Sequence, residues 1–271
     1  IQKGQQLIVH APIEAVELVR HVTEAAYRAG ASTVTTLYSD DVAELSRYKL
    51  VDPEMLDIST NWLANGITEG FDNGAARLAI LGRNPTLLKD IDPNLIARAG
   101  RARAKAYKNL MNSVTSSKSQ WSIIAYATEE WAAQVFPEYV TPIAQNKEFA
   151  VEKLWNEIFS ACRVTSEDPV KEWEIHNENL HKRAEIMNNR RFESLRYNSS
   201  TSNIVIGLAE GHCWEGGSGF AQNGVSFNAN IPTEEIFTTP HRNKVNGWIK
   251  STKPLLYRGT FINYIHAVFK D

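Results

Sequence analysis

Cysteine is scarce in this chain: Cys162 and Cys213 are the only two among 271 residues, and neither belongs to a C-x-x-C pair. That spacing excludes zinc-finger and thioredoxin-like sites. One disulfide is compatible with the count, but two free thiols in a reducing compartment are the expected state. No arranged Cys–His–Asn set is legible around Cys213 that would make it a nucleophile. An excess of one charge is missing as well. Lysine and arginine number 29 against 31 acids, a formal net charge of −2, which offers no basic field for nucleic acid or for an anionic membrane surface. No apolar run is long enough to span a bilayer, and no charged-then-apolar leader opens the chain at Ile1. Phosphate cradles are also absent: no G-x-G-x-x-G follows the first predicted strand, and G-x-x-x-x-G-K-[ST] occurs nowhere. There is no internal repeat and no low-complexity tract.

What is present is ordinary globular usage. Hydrophobic residues make up 43% and charged residues 22%, enough for a substantial core in one or two domains. Up to about residue 190, strand-like and helix-like patterns alternate. Gln6–His10 is a short apolar run; Pro12 then precedes a broad apolar stripe that ends at Gly30, a residue suited to the left-handed position after a helix. Ser32–Tyr38 is rich in β-branched residues, and Asp40 or Ser39 can cap a helix over Val42–Lys49. Ala75–Leu81 and Trp121–Ala127 are further strand candidates. Asp92-Pro93 opens a predicted helix running to Met111, and Thr128 another that stops before Pro137. Two amphipathic helices follow, at Gln145–Cys162 and Pro169–Arg190. Strands joined through helices require a parallel sheet, so residues 1–190 read as a doubly wound α/β domain. From 191 to 271 short strands at Tyr197, Ile204–Leu208, Val225–Phe227, Gly247–Ser251 and Phe261–Phe269 alternate with Gly, Asn and Pro, the mark of a β-rich second domain with a boundary near residue 190.

The stretch Asn230-Ile-Pro-Thr-Glu-Glu-Ile-Phe-Thr-Thr-Pro-His-Arg242 sets two adjacent carboxylates, Glu234 and Glu235, between proline turns. In an extended segment neighbouring side chains point to opposite faces, so one acid can face a site and the other a supporting partner. From spacing alone, an edge turn with two solvated acids is the commoner outcome. Glu210 and His212, two residues apart, would share a face if they lay on a strand, and could hold a cation or an amine; a surface hydrogen-bonded pair is the commoner alternative. His176 and His181 are five apart, do not share a helix face and read as solvent-facing. His241 is placed to support the Glu235 turn as a hydrogen-bond donor, and His10 and His266 to end or flank strands. Gly216-Gly217-Ser218-Gly219 reads as a tight turn. The basic clusters of 98–108 and 182–191 read as solvated faces or a subunit contact.

Taken together, Asn230–Arg242, Glu210-Gly-His-Cys-Trp-Glu-Gly-Gly217 and Ser251-Thr-Lys-Pro254 resemble the thermophilic metallo-aminopeptidases of the aminopeptidase T/AmpS/PepS type. Ile1-Gln-Lys-Gly-Gln5, Ala11-Pro-Ile-Glu14, Tyr38-Ser-Asp-Asp41 and Trp131-Ala-Ala-Gln-Val-Phe-Pro137 stand in that family's order along the whole chain. The resemblance implies a cytoplasmic, homodimeric exopeptidase that removes amino-terminal residues from peptides with two divalent ions, zinc or cobalt. It places the first metal-ligand glutamate at Glu235, with Glu234 as a neighbouring acid that orients a ligand or serves as general base. The family's other ligands, a second glutamate, two histidines and an aspartate, lie beyond the point matching Phe269-Lys-Asp271. The expectation is therefore an amino-terminal portion, its second domain incomplete, that does not stably bind the ions and is inactive alone. The competing expectation is a non-catalytic α/β domain that binds a small molecule or peptide at the carboxyl ends of its parallel strands.

Overall fold

The computed structural model describes residues 1–141, 146–257 and 260–270; Gln145, the expected start of one helix, and Asp271 lie outside them. In chain order the strands and helices begin with β1 (Gln6–Pro12), α1 (Val16–Arg28), β2 (Thr33–Ser39), α2 (Asp41–Leu50) and α3 (Asn61–Asp72). They continue with β3 (Ala76–Leu81), α4 (Pro93–Ala106), α5 (Lys108–Thr115), β4 (Trp121–Ala125), α6 (Glu129–Val135), α7 (Lys147–Ala161) and α8 (Pro169–Arg190). The strand-rich remainder is β5 (Ser194–Ser199), β6 (Ser202–Leu208), β7 (Glu215–Gly216), β8 (Ser218–Phe220), β9 (Ser226–Asn228) and β10 (Asn230–Ile231). Last come β11 (Ile236–Phe237), β12 (Pro240–Lys250), β13 (Leu255–Tyr257), β14 (Thr260–Ile262) and β15 (His266–Phe269).

Two compact units result, Ile1–Cys162 with Ser218–Pro232, and Arg163–Gly217 with Thr233–Asp271. The first is built on a parallel sheet of order β10-β4-β3-β1-β2. One face packs Leu7, Val9 and Ala11 of β1 against Val19 and Ala26 of α1. The other packs Ile8 against Ile67 and Phe71 of α3 and Leu110 and Val114 of α5. Helices on both faces make this the doubly wound α/β sheet expected from strand–helix alternation. The local signals act as read: Asp40 accepts hydrogen bonds from the Val42 and Ala43 amides, Thr128 caps α6 through the Trp131 amide, and Gly30 sits at φ +97° after α1.

Three features depart from the sequence pattern. Helix α3 has no counterpart in the expected elements, since Gly66 and Gly70 interrupt a weak helical stretch. A Cβ at Gly70 would lie 3.1 Å from Ile8 Cδ1, so glycine there lets α3 approach β1 closely. The helix expected from Asp92 to Met111 breaks at Tyr107, whose ψ of 7° accompanies packing of its ring against the Ile8–Phe71 cluster. The change in character near residue 190 marks where strands begin, not where the units divide. Ala184 of α8 packs with Leu208 and Trp214, so that helix belongs with the strands that follow it, while β10 extends the parallel sheet at β4.

The second unit carries an antiparallel sheet of order β15-β12-β6-β5 and a two-stranded ribbon of β7 with β11. Among the described residues no helix is long and apolar enough to cross a membrane.

Candidate functional site

The Glu234–Glu235 turn lies in the second unit and is fixed from three directions. Trp214, buried against Ala184, Leu208 and Ile236, is bracketed by one side chain of α8: Asn188 Oδ1 accepts from the Trp214 amide at 2.7 Å and its Nδ2 donates to the Trp214 carbonyl at 3.0 Å. The next two residues pair as β7 with β11, Gly216 opposite Ile236 and Glu215 opposite Phe237. Gly216 has to be glycine, since a Cβ there would meet the Glu235 carbonyl oxygen and Ile236 Cγ2 at 2.8 Å each. The Thr238 hydroxyl then donates to the Cys213 carbonyl at 2.7 Å. The two segments singled out in the sequence, 210–217 and 230–242, are thus partners across one ribbon.

Glu234 and Glu235 have different surroundings. Glu234 takes the two terminal nitrogens of the Arg163 guanidinium, Nη1 at 2.8 Å to Oε1 and Nη2 donating to Oε2 at 3.2 Å. Arg163 also donates from Nη2 to His176 Nδ1 at 3.1 Å and lies 5.1 Å over the Trp173 ring. His176 Nε2 contacts the Thr233 carbonyl at 2.7 Å. A carbonyl only accepts, so the proton sits on Nε2 and Nδ1 is left to accept from Arg163. The arginine and histidine side chains are 23% and 14% exposed while Glu234 is 59% exposed, so partly buried bases hold a carboxylate that reaches solvent. The hydrogen bonds from Arg163 hold the Glu234 carboxyl below its ordinary value, aided by the charge of the same guanidinium. Glu235 is exposed, and its Oε2 accepts from the Glu234 amide at 3.1 Å. One acid is neutralised by a cation; the other is presented outward.

Three sequence expectations change here. His176 is not solvent-facing, because Thr233 and Arg163 draw its ring against the turn. Glu210 and Gly211 form a turn, not a strand, so Glu210 and His212 do not share a strand face; His212 Nδ1 instead contacts the Ala209 carbonyl at 2.9 Å. His241 Nδ1 accepts from the Asn243 amide at 3.2 Å and is used within its own strand. Arg163 and Trp173 carry no local sequence signal. They reach the turn only through the tertiary fold, from 71 residues away in the case of Arg163.

Metal binding can be tested against this donor set. Among the described residues no group of three His, Cys, Asp or Glu side chains could hold an ion. Glu234 is committed to Arg163, leaving Glu235 as the one outward carboxylate of the turn. An open catalytic zinc site takes about three protein ligands. The described residues therefore do not make a metal centre by themselves.

The chain thus has a doubly wound parallel sheet, separate antiparallel strands, and an outward carboxylate on a glycine-dependent ribbon. The chain belongs to the thermophilic metalloprotease (M29) family, which it matches over residues 1–271. It is 41% identical over 270 residues to aminopeptidase T of Thermus thermophilus and 35% identical over 271 residues to aminopeptidase AmpS of Bacillus subtilis. The solved structure of wild-type AmpT from Thermus thermophilus matches all of this chain with a TM-score of 0.89 at 40% identity. The chain spans 65% of the length of each of these relatives. Family membership implies divalent metal in the chemistry.

Proposed function

We propose that this chain contributes to a metal-dependent aminopeptidase that removes amino-terminal residues from peptides, with Glu235 as a metal ligand. The observation that carries this is the division of labour at the turn: Arg163 neutralises Glu234, while Glu235 stays free to offer a carboxylate. The family match and the relatives named aminopeptidase support the reaction class. Zinc or cobalt, a pair of ions, a homodimer and a cytoplasmic location belong to the same reading. The remaining ligands would come from outside the described residues, so no catalytic step is assigned to them.

Of the two roles open to Glu234, the surroundings favour orientation over proton transfer. A carboxylate held low by a bidentate guanidinium is a weak base. Its backbone amide instead donates to Glu235 Oε2, so the Arg163 pair locks the peptide that aims the neighbouring acid. The experiment is aminopeptidase turnover by the full-length protein with zinc or cobalt. Glu235→Gln is expected to abolish metal-dependent turnover with the fold intact. Glu234→Gln is expected to lower it while leaving the acid limb of the pH profile in place. Retained activity in Glu235→Gln would move the ligand elsewhere, and loss of the acid limb in Glu234→Gln would restore it as the base.

A further inference from the structure

The face of the parallel sheet covered by α3 and α5 carries a group of side chains that peptide hydrolysis at Glu235 does not use. Strand register sets Ile8 of β1 beside Arg77 of β3 and Arg77 beside Trp121 of β4, while His10 pairs with Ala79 two residues further along β3. Residues that alternate by two share a face, so His10, Arg77 and Trp121 project to one side. Ile8 and Trp121 indeed pack there with Phe71, Leu110 and Tyr107. His10 Nδ1, Arg77 Nε and Trp121 Nε1 are all buried without a hydrogen-bond partner among the described residues.

Three orphaned nitrogens on one face require an explanation, because a buried N–H left unpaired keeps its full desolvation cost, and a guanidinium more. The charge around them is mainly positive. Arg103 of α4, its guanidinium 5.0 Å from the Tyr107 ring centre, acts on both His10 and Arg77, Tyr107 opposes it weakly at Arg77, and among the described residues no carboxylate acts on either. Burial first, and then Arg77 and Arg103, push the His10 imidazole down to about 4. Arg103 also acts on Tyr48 of α2; the acid that acts on Tyr48, Glu44, is already paired with Arg83 at 3.2 Å.

The location also matters. With the order β4-β3-β1-β2, the chain runs out to β2 and then crosses back past β1 to β3. His10 and Arg77 sit on the two strands that flank that reversal, with Arg77 and Trp121 at the amino-terminal ends of β3 and β4. A water molecule could accept from one or two of these nitrogens but would leave the guanidinium uncompensated. A carboxylate or phosphate accepts several hydrogen bonds and neutralises the charge. We propose that His10, Arg77 and Trp121, with Arg103 at the rim, form a binding site for a small oxyanion in the first unit, separate from the Glu235 turn.

The test is thermal unfolding of the whole chain at constant ionic strength, with sodium phosphate or sodium acetate replacing sodium chloride. At least one oxyanion is expected to give a saturable rise of about 3 °C or more, since a ligand that binds only the folded state stabilises it by mass action. A response to acetate as well as phosphate defines a carboxylate-type site; a response to phosphate alone defines a tetrahedral one. Arg77→Met is expected to weaken binding at least tenfold while unfolding no lower than wild type in chloride, because it removes a charge that lacks a counter-ion. Should that variant not fold, Trp121→Phe keeps the ring bulk and removes one donor, and the Trp121 indole N–H signal in NMR reports the site directly in the wild type. An indole signal unmoved by either oxyanion, no rise beyond the chloride control, or equal rises in wild type and Arg77→Met would overturn the site and leave a buried water as its occupant. None of these readouts depends on peptidase activity.

Discussion

Replacing Arg163 by Met should loosen the Glu234–Glu235 turn by an amount the geometry allows to be estimated. Methionine keeps much of the aliphatic stem but removes three interactions: the two-nitrogen grip on Glu234, the donor to His176 Nδ1 and the cation over the Trp173 ring. Hydrogen bonds to charged groups contribute roughly 1.5–3 kcal/mol when shielded, whereas exposed ion pairs contribute about 0.2–1 kcal/mol. With Glu234 59% exposed, the pair belongs nearer the lower range, at about 1 kcal/mol. The histidine hydrogen bond adds about 1 kcal/mol and the ring contact about 0.5 kcal/mol. Arg163→Met should therefore cost about 2–3 kcal/mol, Glu234→Gln about 1 kcal/mol, and a double-mutant cycle should return a coupling of about 1 kcal/mol. Urea denaturation followed by fluorescence measures all four corners. The pH dependence sharpens the test. The folded-state carboxyl of Glu234 lies below its ordinary value of 4.5, so its contribution is present above that pH and is lost as the pH falls through the folded-state value. A coupling near zero at pH 7, or one that persists unchanged in acid, would refute the claim that Arg163 holds the turn through Glu234.

Other perturbations have equally definite outcomes. Gly216→Ala forces a Cβ against the Glu235 carbonyl and Ile236 at 2.8 Å, both fixed by the ribbon, and should destabilise by about 1–3 kcal/mol in denaturant titration; a neutral result would mean the ribbon is loose. Asn188→Ala removes both bonds to the Trp214 backbone and should cost about 2 kcal/mol, with increased exposure of Trp214 to a fluorescence quencher. His10, with a folded value of about 4 against 6.5 unfolded, lets the unfolded chain bind the extra proton between those values. Stability in chloride should then fall as the pH drops from 6.5 towards 4, by up to about 3 kcal/mol relative to His10→Phe.

The sequence carried the first unit well because its signals are local. Asp40, Asp92 and Thr128 each cap the helix that follows through a neighbouring amide, and β-branched Thr33–Ser39 has few alternatives to a strand. It carried the units' boundaries poorly, because attaching α8 to the later strands and returning β10 to β4 depends on contacts across tens of residues. The turn itself was legible as a motif, and Glu235 and Glu234 were distinguishable only through the resemblance. What separates them physically is Arg163, His176 and Trp173, and nothing in the residues around 163 or 176 signals that they meet Glu234. Spacing made His176 one of two unrelated histidines; the Thr233 carbonyl makes it part of the site. The nitrogen cluster at His10, Arg77 and Trp121 was hidden for the same reason, as it arises from register between strands that are distant in sequence.

The central claim is that Glu235 is a metal ligand and Glu234 its support. The most direct measurement is the metal content of the full-length protein after zinc loading and exhaustive dialysis, wild type against Glu235→Gln and Glu234→Gln. The account predicts that Glu235→Gln retains at least one ion fewer per chain, while Glu234→Gln keeps the wild-type stoichiometry. Equal metal content in wild type and Glu235→Gln would contradict it.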